Sequence, residues 1–198
     1  EVIVGNIGSS KRSKYGVVGS GVNMTSRIES YSVGGQILIS DSVRKQAGEI
    51  LRIDEQREVI PKGAETPLKI YEVGGIGQPY NLALDKKHTA LVALGRTVPL
   101  RYTTLDGKNV GKEQLKGFVI SLSRDVVEID LEEPLELLTN IKMNLKDVSE
   151  ELVSRDFYGK IMESAGKDSC RYILRFTSVP PEIGAYFQAL RQYAGKGN

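Results

Sequence analysis

Residues 18–29, with the sequence VGSGVNMTSRIE, place two polar side chains four residues apart just after a glycine-rich turn. On an α-helix, that spacing puts Asn23 and Arg27 on one face. The carboxamide of Asn23 offers a donor and an acceptor, and the guanidinium of Arg27 offers a fixed fork of donors that matches phosphate oxygens. The pair is therefore suited to orient a sugar and hold a phosphate. The alternative is structural, because a helical arginine is commonly a solvated surface residue and an asparagine after glycine commonly only begins a helix.

Three further segments surround this stretch. They read VIVGNIGS at residues 2–9, KYGVVG at residues 14–19 and GQILIS at residues 35–40. Together with residues 22–29, and in this order, they resemble the second half of a class III adenylate/guanylate cyclase catalytic domain. The resemblance covers about residues 1–75 and implies a truncated cyclase-type α/β sandwich.

The resemblance also implies roles for the polar pair. In that family the active site lies between two cyclase domains, one supplying two metal-binding aspartates and the other an asparagine and an arginine from a motif like this one. Asn23 would orient the ribose, and Arg27 would stabilise the charge that develops on the phosphate during ring closure. The implied partners are a nucleoside triphosphate, ATP or GTP, and a second cyclase domain in a homodimer. The implied cofactor of the full-length enzyme is Mg²⁺ or Mn²⁺.

The metal-binding half of such a site is expected to lie outside this chain. The family carries its aspartates upstream of the VGNIG segment, and this chain begins at Glu1. We therefore expect no metal site and no cofactor in the chain alone, and no turnover by it. We also expect the remaining sheet to be poorly covered, rearranged or packed against another copy.

Two positions with an implied role in substrate binding depart from the family pattern. Gly16 stands where relatives commonly carry Asp or Thr to read the purine edge, so base selectivity is not fixed here, although cAMP is expected in preference to cGMP. Lys62 lies in the place of a Lys-Gly-Lys turn that contacts the triphosphate in some relatives, with Ala64 in place of the second lysine. The alternative for Lys62 is an ordinary exposed turn residue.

Composition narrows the remaining classes of function. The 198 residues are 40% hydrophobic and 26% charged, which is typical of one or two globular domains with buried cores. A formal net charge of +2 does not favour nucleic-acid binding. The single cysteine, Cys170, and the lack of a long apolar run favour a cytoplasmic protein without a membrane segment. With His88 as the one histidine, neither a His-rich metal site nor a Ser-His-Asp triad is expected.

The first part of the chain alternates short strands and helices. Strands are predicted over residues 2–4, 15–18, 36–39, 50–60 and 68–73, and helices over residues 22–31 and 42–47. The basic segment at residues 9–14 is expected to be a loop between two strands. The GGIGQP segment at residues 74–79 predicts a break, so we place a cyclase part at residues 1–75 and a linker at residues 76–83.

The second part has a different sequence pattern, with short apolar segments separated by turns. Strands are predicted over residues 97–103, 117–122, 126–131, 138–145, 156–163 and 172–177, and an amphipathic helix over residues 182–193. This order predicts a small antiparallel barrel at residues 84–194 with a C-terminal helix. The apolar stripe of the helix is expected to pack on the barrel, the alternative being a partner-binding face. The whole chain is therefore expected to be of the α+β class.

This second part resembles a PilZ domain in GFVISLS at residues 117–123, the Pro134-Leu135 step and YILRFT at residues 172–177. PilZ domains that bind cyclic di-GMP carry an Arg-x-x-x-Arg segment and an Asp/Asn-x-Ser-x-x-Gly turn. Arg96 and Ser123 remain as possible contacts. The positions that depart from these motifs are Val92, Ser121 and Val126. Because most of the cationic grip is lost, cyclic di-GMP binding is not expected.

Three functions from different classes remain open. The preferred one is part of a class III nucleotide cyclase in intracellular signalling, with a PilZ-like regulatory module. The second is a PilZ module that senses cyclic di-GMP. The third is a degenerate cyclase part that only dimerises, followed by a barrel that only docks on partners.

Overall fold

The computed structural model describes residues 2–9, 11–61, 66–84, 90–106, 109–111, 113–166 and 169–195. The chain divides into two compact units, Glu1–Lys86 and Lys87–Asn198. The elements of the first unit are β1 (Ile3–Ser9), β2 (Arg12–Val18), α1 (Ser20–Glu29), β3 (Leu38–Ser40), α2 (Asp41–Ala47), a 3₁₀ turn (Gly48–Ile50), β4 (Leu51–Val59), β5 (Leu68–Ile76) and β6 (Leu82–Ala83). Those of the second unit are β7 (Val92–Asp106), β8 (Asn109–Val110), β9 (Leu115–Leu122), β10 (Val126–Leu131), β11 (Asn140–Leu145), α3 (Glu150–Val153), β12 (Phe157–Ser164), β13 (Arg171–Ser178) and α4 (Pro181–Ala194). Among the described helices, none combines the length and the apolar character that crossing a membrane requires.

The first unit opens with an antiparallel hairpin of β1 and β2. Ile3 pairs with Val18 at its open end, and Ser9 pairs with Arg12 at the turn. The basic segment at residues 9–14, expected as a loop, therefore lies mainly within the strands. Its polar side chains stay in solvent while the backbone continues the ladder, so composition alone hides the strand.

The hairpin is poorly covered, as expected. Side chains of Ile3, Val4 and Tyr15 are 70%, 58% and 76% exposed. A two-stranded hairpin needs a packed face to be stable in water. The apolar face of this one is therefore a feature to be explained by function.

The rest of the first unit is a small antiparallel sheet in the order β3-β5-β4. Helix α1 packs against β3, and α2 packs against β3 and β5. The central strand β5 contributes the buried Ile70 and Val73, and α1 contributes the buried Ile28. Ser40 caps α2, as its Oγ accepts a hydrogen bond from the Val43 N–H at 3.3 Å.

Ile76, Leu82 and Ala83, which lie in the segment expected as a linker, are paired in the sheet of the first unit. Strand β5 continues to Ile76, and Gly75 pairs with Ala83 on β6. A Cβ at Gly75 would lie 2.6 Å from the Leu82 carbonyl oxygen. The glycine therefore permits the close approach of two strands, and the prediction mistook it for a break.

The second unit is a closed antiparallel barrel. Six described strands follow the order β11-β12-β13-β10-β9-β7, and an additional β11–β7 pairing closes the ring. Closure leaves each of these strands paired on both sides, which removes exposed edges. The predicted α+β class, with a small antiparallel barrel and a C-terminal helix, is confirmed.

Alternating burial along the barrel strands explains its core. In β10 and β11 every second residue is buried, so one face of each strand points inward. Helix α4 closes one side of this core with Ile183 and Phe187, which are 0% and 4% exposed. The predicted packing of the helix stripe on the barrel is thereby confirmed for these two residues. Phe157 and Phe187 meet edge to face, with ring centroids 5.6 Å apart.

Candidate functional site

Helix α1 presents a polar face to solvent. Ile28 is buried against the sheet, whereas Asn23 and Arg27 are exposed. They lie one helical turn apart on the same face. Neither side chain forms a hydrogen bond or ion pair with the part of the chain that the structure describes. The structure thus brings the two predicted site residues together and leaves their donors available to a ligand.

The charge of Arg27 lies at the C-terminal end of α1, where the helix dipole favours a cation. It also acts on Tyr31, one turn further. Burial raises the pKa of Tyr31 above its ordinary value, and the Arg27 guanidinium partly offsets that rise. The positive potential of Arg27 therefore reaches the residues that follow the helix.

A brace ties the end of α1 to the sheet. Gln36 accepts a hydrogen bond from the Val33 N–H at 3.1 Å through Oε1, and its Nε2 donates to the Glu72 carboxylate at 2.8 Å. Val33 and Glu72 are 5% and 8% exposed, so these bonds are shielded from water. The brace holds the loop after α1 on β5 and thereby orients the helix. Sequence reasoning placed Gln36 in a motif but missed its role, because nothing in one sequence pairs it with Glu72.

Of the two other predicted substrate contacts, the described residues include Gly16. Gly16 lies in β2, paired with Gly5 across the hairpin. A Cβ added there would meet Ile7 Cδ1 at an ordinary 3.5 Å, so a side chain would fit, and none is present. Lys62 lies outside the described residues.

Five of the described carboxylates of the first unit are engaged in other contacts. These contacts join Asp41 to Lys45 and Tyr71, Asp54 to Arg52, Glu55 to Arg57, Glu58 to Lys69, and Glu72 to Gln36. Hydrogen bonds from Lys45 and Tyr71 hold the pKa of Asp41 below its ordinary value. Across the described ranges, no three His, Cys, Asp or Glu side chains cluster as metal ligands would. These residues do not fit a Mg²⁺ or Mn²⁺ site.

In the barrel, the serine side chains of the PilZ-like turn form hydrogen bonds within the domain. The buried Ser123 accepts a hydrogen bond from the Val126 N–H at 3.0 Å and closes the turn between β9 and β10. Ser121 donates to the Glu128 carboxylate at 2.7 Å. Arg96 is exposed in a stretch of β7 that has no partner residues on β9. Within the described structure, no hydrogen bond joins Arg96 to Ser123.

Comparison with known proteins bears on the first unit. Residues 1–85 match the family model for the adenylate and guanylate cyclase catalytic domain. Residues 1–85 are thus similar to part of a cyclase catalytic domain. This cyclase segment contains β1 to β6, the polar face of α1 and its brace. The match extends past residue 75, the predicted limit, and includes the β5–β6 pair.

Solved structures give two further similarities. The crystal structure of the guanylyl cyclase Cya2 is 55% identical, with a TM-score of 0.39, and the match covers 42% of this chain and 43% of that chain. The chain thus spans less than half the length of that structure. The structure of the Bacillus subtilis inhibitor of motility, MotI/DgrA, is 12% identical with a TM-score of 0.37, over 98% of this chain and 96% of that chain. No curated protein matches the chain.

Proposed function

We propose that the cyclase segment supplies the nucleotide-orienting half of a class III cyclase site, which a second cyclase domain completes. The observation that carries this proposal is the polar face of α1, where Asn23 and Arg27 are exposed and lack side-chain partners among the described residues. The family-model match supports the proposal, because α1 lies within the matched residues 1–85. The proposed substrate is a nucleoside triphosphate, and the proposed assembly is a homodimer of the full-length protein.

The chemistry of ring closure explains why this pair suits the role. The ribose 3′ oxygen forms a bond to the α-phosphorus, and the bond from that phosphorus to the pyrophosphate leaving group breaks. Negative charge grows on the phosphate oxygens in the transition state, where the fixed donors of Arg27 stabilise it. Asn23 holds the ribose so that its hydroxyl faces the phosphorus. We assign the metal-binding aspartates to the partner domain, so the chain alone is expected to be inactive.

The base preference remains a prediction. Gly16 supplies no side chain to distinguish adenine from guanine, and the expectation of cAMP over cGMP rests on the resemblance alone. A similar protein of known structure is a guanylyl cyclase. Both ATP and GTP therefore belong in the test.

A complementation assay tests the proposal. The chain is mixed with a cyclase domain that carries the two aspartates but has its own asparagine and arginine replaced by alanine. With ATP or GTP and Mg²⁺ or Mn²⁺, we expect cyclic nucleotide from the mixture and none from either component alone. A mixture without product would contradict the proposal and favour a cyclase segment that only dimerises.

We further propose that the barrel is a PilZ-like regulatory module that does not bind cyclic di-GMP. The closed barrel with its C-terminal helix supports this architecture. The hydrogen bonds from Ser121 to Glu128 and from the Val126 N–H to Ser123 engage the polar side chains of the PilZ-like turn within the fold. Calorimetry with cyclic di-GMP at high micromolar concentration is expected to show no heat of binding, and saturable heat would restore the sensing function.

A further inference from the structure

A cavity of about 230 Å³ lies in the second unit, where the β9–β10 turn meets the end of β13 and the start of α4. Phe176 and Phe187 line it, with their rings stacked at 19° and their centroids 5.6 Å apart. Pro180 and Pro181 extend the apolar wall. Stacked rings and proline faces favour a planar apolar group. An apolar cavity of about 150 Å³ accommodates benzene, so this one has room for a ring and a small substituent.

Two guanidinium groups add a positive charge to this apolar wall. Arg124 and Arg191 line the cavity, together with the carboxylate residue Asp125, which leaves a net charge of +1. Arg124 is exposed and forms no ion pair with the described part of the chain. The Nε of Arg191 is inaccessible to solvent and has no hydrogen-bond partner among the described residues. Such a buried donor without a partner destabilises the fold.

The start of α4 reinforces the attraction for an anion. The helix is 14 residues long and begins at Pro181, on the wall of the cavity. Its N-terminal end carries partial positive charge. The acidic Glu182 of the first turn is paired with Arg155 at 3.0 Å, which reduces its opposition to an anion.

We propose that this cavity binds a small anion attached to an aromatic ring, with the ring against Phe176 and Phe187 and the anionic group between Arg124 and Arg191. The chemical class is an aryl carboxylate or an aryl phosphate. At about 230 Å³ the cavity is smaller than ordinary sites for drug-sized ligands, so a cyclic dinucleotide does not fit inside it. The cavity shares Ser123 with the PilZ-like turn, whereas Arg96 does not line it.

Calorimetry on the whole chain tests the proposal with defined probes. Benzoate and phenyl phosphate are titrated separately, which distinguishes the two anionic groups, and inorganic phosphate and benzyl alcohol are the matched probes without a ring or without a charge. We expect at least one aryl anion to bind with a dissociation constant of about 1 mM or tighter. Inorganic phosphate and benzyl alcohol should each bind at least about tenfold more weakly, because the first lacks the aromatic ring and the second lacks the negative charge.

Variants locate the binding. Arg191→Gln is expected to weaken the aryl anion by about tenfold or more, since a charge-assisted hydrogen bond is lost. Arg124→Gln, at an exposed position, should also weaken binding of the aryl anion. It replaces Arg191→Gln in the test if that variant does not fold. Arg101→Gln is the matched control, because this exposed guanidinium contacts Gln114 and not the cavity. Absence of heat with both aryl anions at about 10 mM, roughly ten times the expected dissociation constant, would overturn the proposal. Unchanged affinity in folded Arg191→Gln and Arg124→Gln would overturn it equally.

Discussion

The hairpin of the first unit and the barrel of the second are built from similar β-forming residues, but their apolar side chains differ in burial. Ile129 in the barrel is 0% exposed, whereas Ile3 in the hairpin is 70% exposed. The barrel pairs each of its six described strands on both sides and covers its interior with α4. Among the described residues, the hairpin has one strand pairing and its large apolar side chains are mostly exposed. Strand propensity accounts for both structures, and ring closure with α4 packed against it buries one side of the barrel strands.

The same contrast separates the functional groups of the two units. In the barrel turn, Ser121 and Ser123 are used for internal hydrogen bonds. On α1, Asn23 and Arg27 project from a braced helix into solvent. The polar groups of the barrel turn are thus satisfied within the fold, whereas those of Asn23 and Arg27 are exposed to solvent.

The largest expected effect comes from truncating one isoleucine in each unit. Ile129→Ala should lower the free energy of unfolding of the barrel by about 2–5 kcal/mol, because it leaves a cavity in a closed core. Ile3→Ala should change stability by no more than about 0.5 kcal/mol. Urea unfolding followed by barrel NMR signals measures the first, and hairpin signals measure the second. Equal losses would show that the hairpin is covered in solution.

A glycine pair tests packing in the opposite direction. A Cβ at Gly159 would clash with the Leu174 side chain, whereas one at Gly5 would have nothing within 4 Å. Gly159→Ala should therefore destabilise the barrel by about 1–3 kcal/mol, and Gly5→Ala should be close to neutral. Thermal unfolding of the two variants beside the parent chain gives the comparison. A neutral Gly159→Ala would mean that the barrel wall yields easily there.

Alkaline pH provides a third test, specific to the barrel. Burial raises the pKa of Tyr102 from 10 to about 12. Between these values the unfolded chain has lost the phenolic proton and the folded chain keeps it, so stability present below pH 10 is lost as pH rises towards 12. The expected loss is about 2 kcal/mol. Unfolding measured from pH 9 to 12 should show this slope in the parent and in Tyr193→Phe, an exposed control, but not in Tyr102→Phe. An unchanged slope in Tyr102→Phe would contradict the assignment.

The smallest expected effect concerns the brace of α1. Gln36→Ala removes the hydrogen bonds to Val33 and Glu72 and should destabilise the first unit by about 1–2 kcal/mol. Amide hydrogen exchange in α1 should accelerate, while exchange in the barrel stays the same. Ser26→Ala, at an exposed position on the same helix, is the control. Unchanged exchange in α1 of the Gln36 variant would show that the brace does not hold the helix.

Much of the fold was predictable because its pattern is local. Alternating apolar residues at 126–131 and 172–177 specify strands with one buried face, and these strands exist as β10 and β13. The helix at residues 182–193 follows from its apolar spacing and the preceding prolines. The polar pair Asn23 and Arg27 was found by helical spacing, and the structure places both on one exposed face.

The remaining features depend on contacts between distant parts of the chain. From sequence alone, Gly75 indicates a break in the strand. The structure shows instead that it allows the backbone of Leu82 to approach closely. Glu72, which accepts a hydrogen bond from Gln36, lies 36 residues away in the sequence. The Nε of Arg191 has no hydrogen-bond partner among the described residues. The cavity joins a turn at residues 123–125 to a helix more than fifty residues later. The periodicity of apolar residues within a segment cannot predict contacts between residues that are distant in the sequence.

The assignment of the polar face is tested most directly by Arg27→Ala in the complementation assay. Removing a preorganised donor to transition-state charge lowers turnover by about 10² to 10³. We expect that loss in the mixture with the partner domain, with Ser26→Ala as active as the parent and circular dichroism unchanged in both. Undiminished cyclic nucleotide formation by the Arg27→Ala mixture would contradict the proposed role of this face.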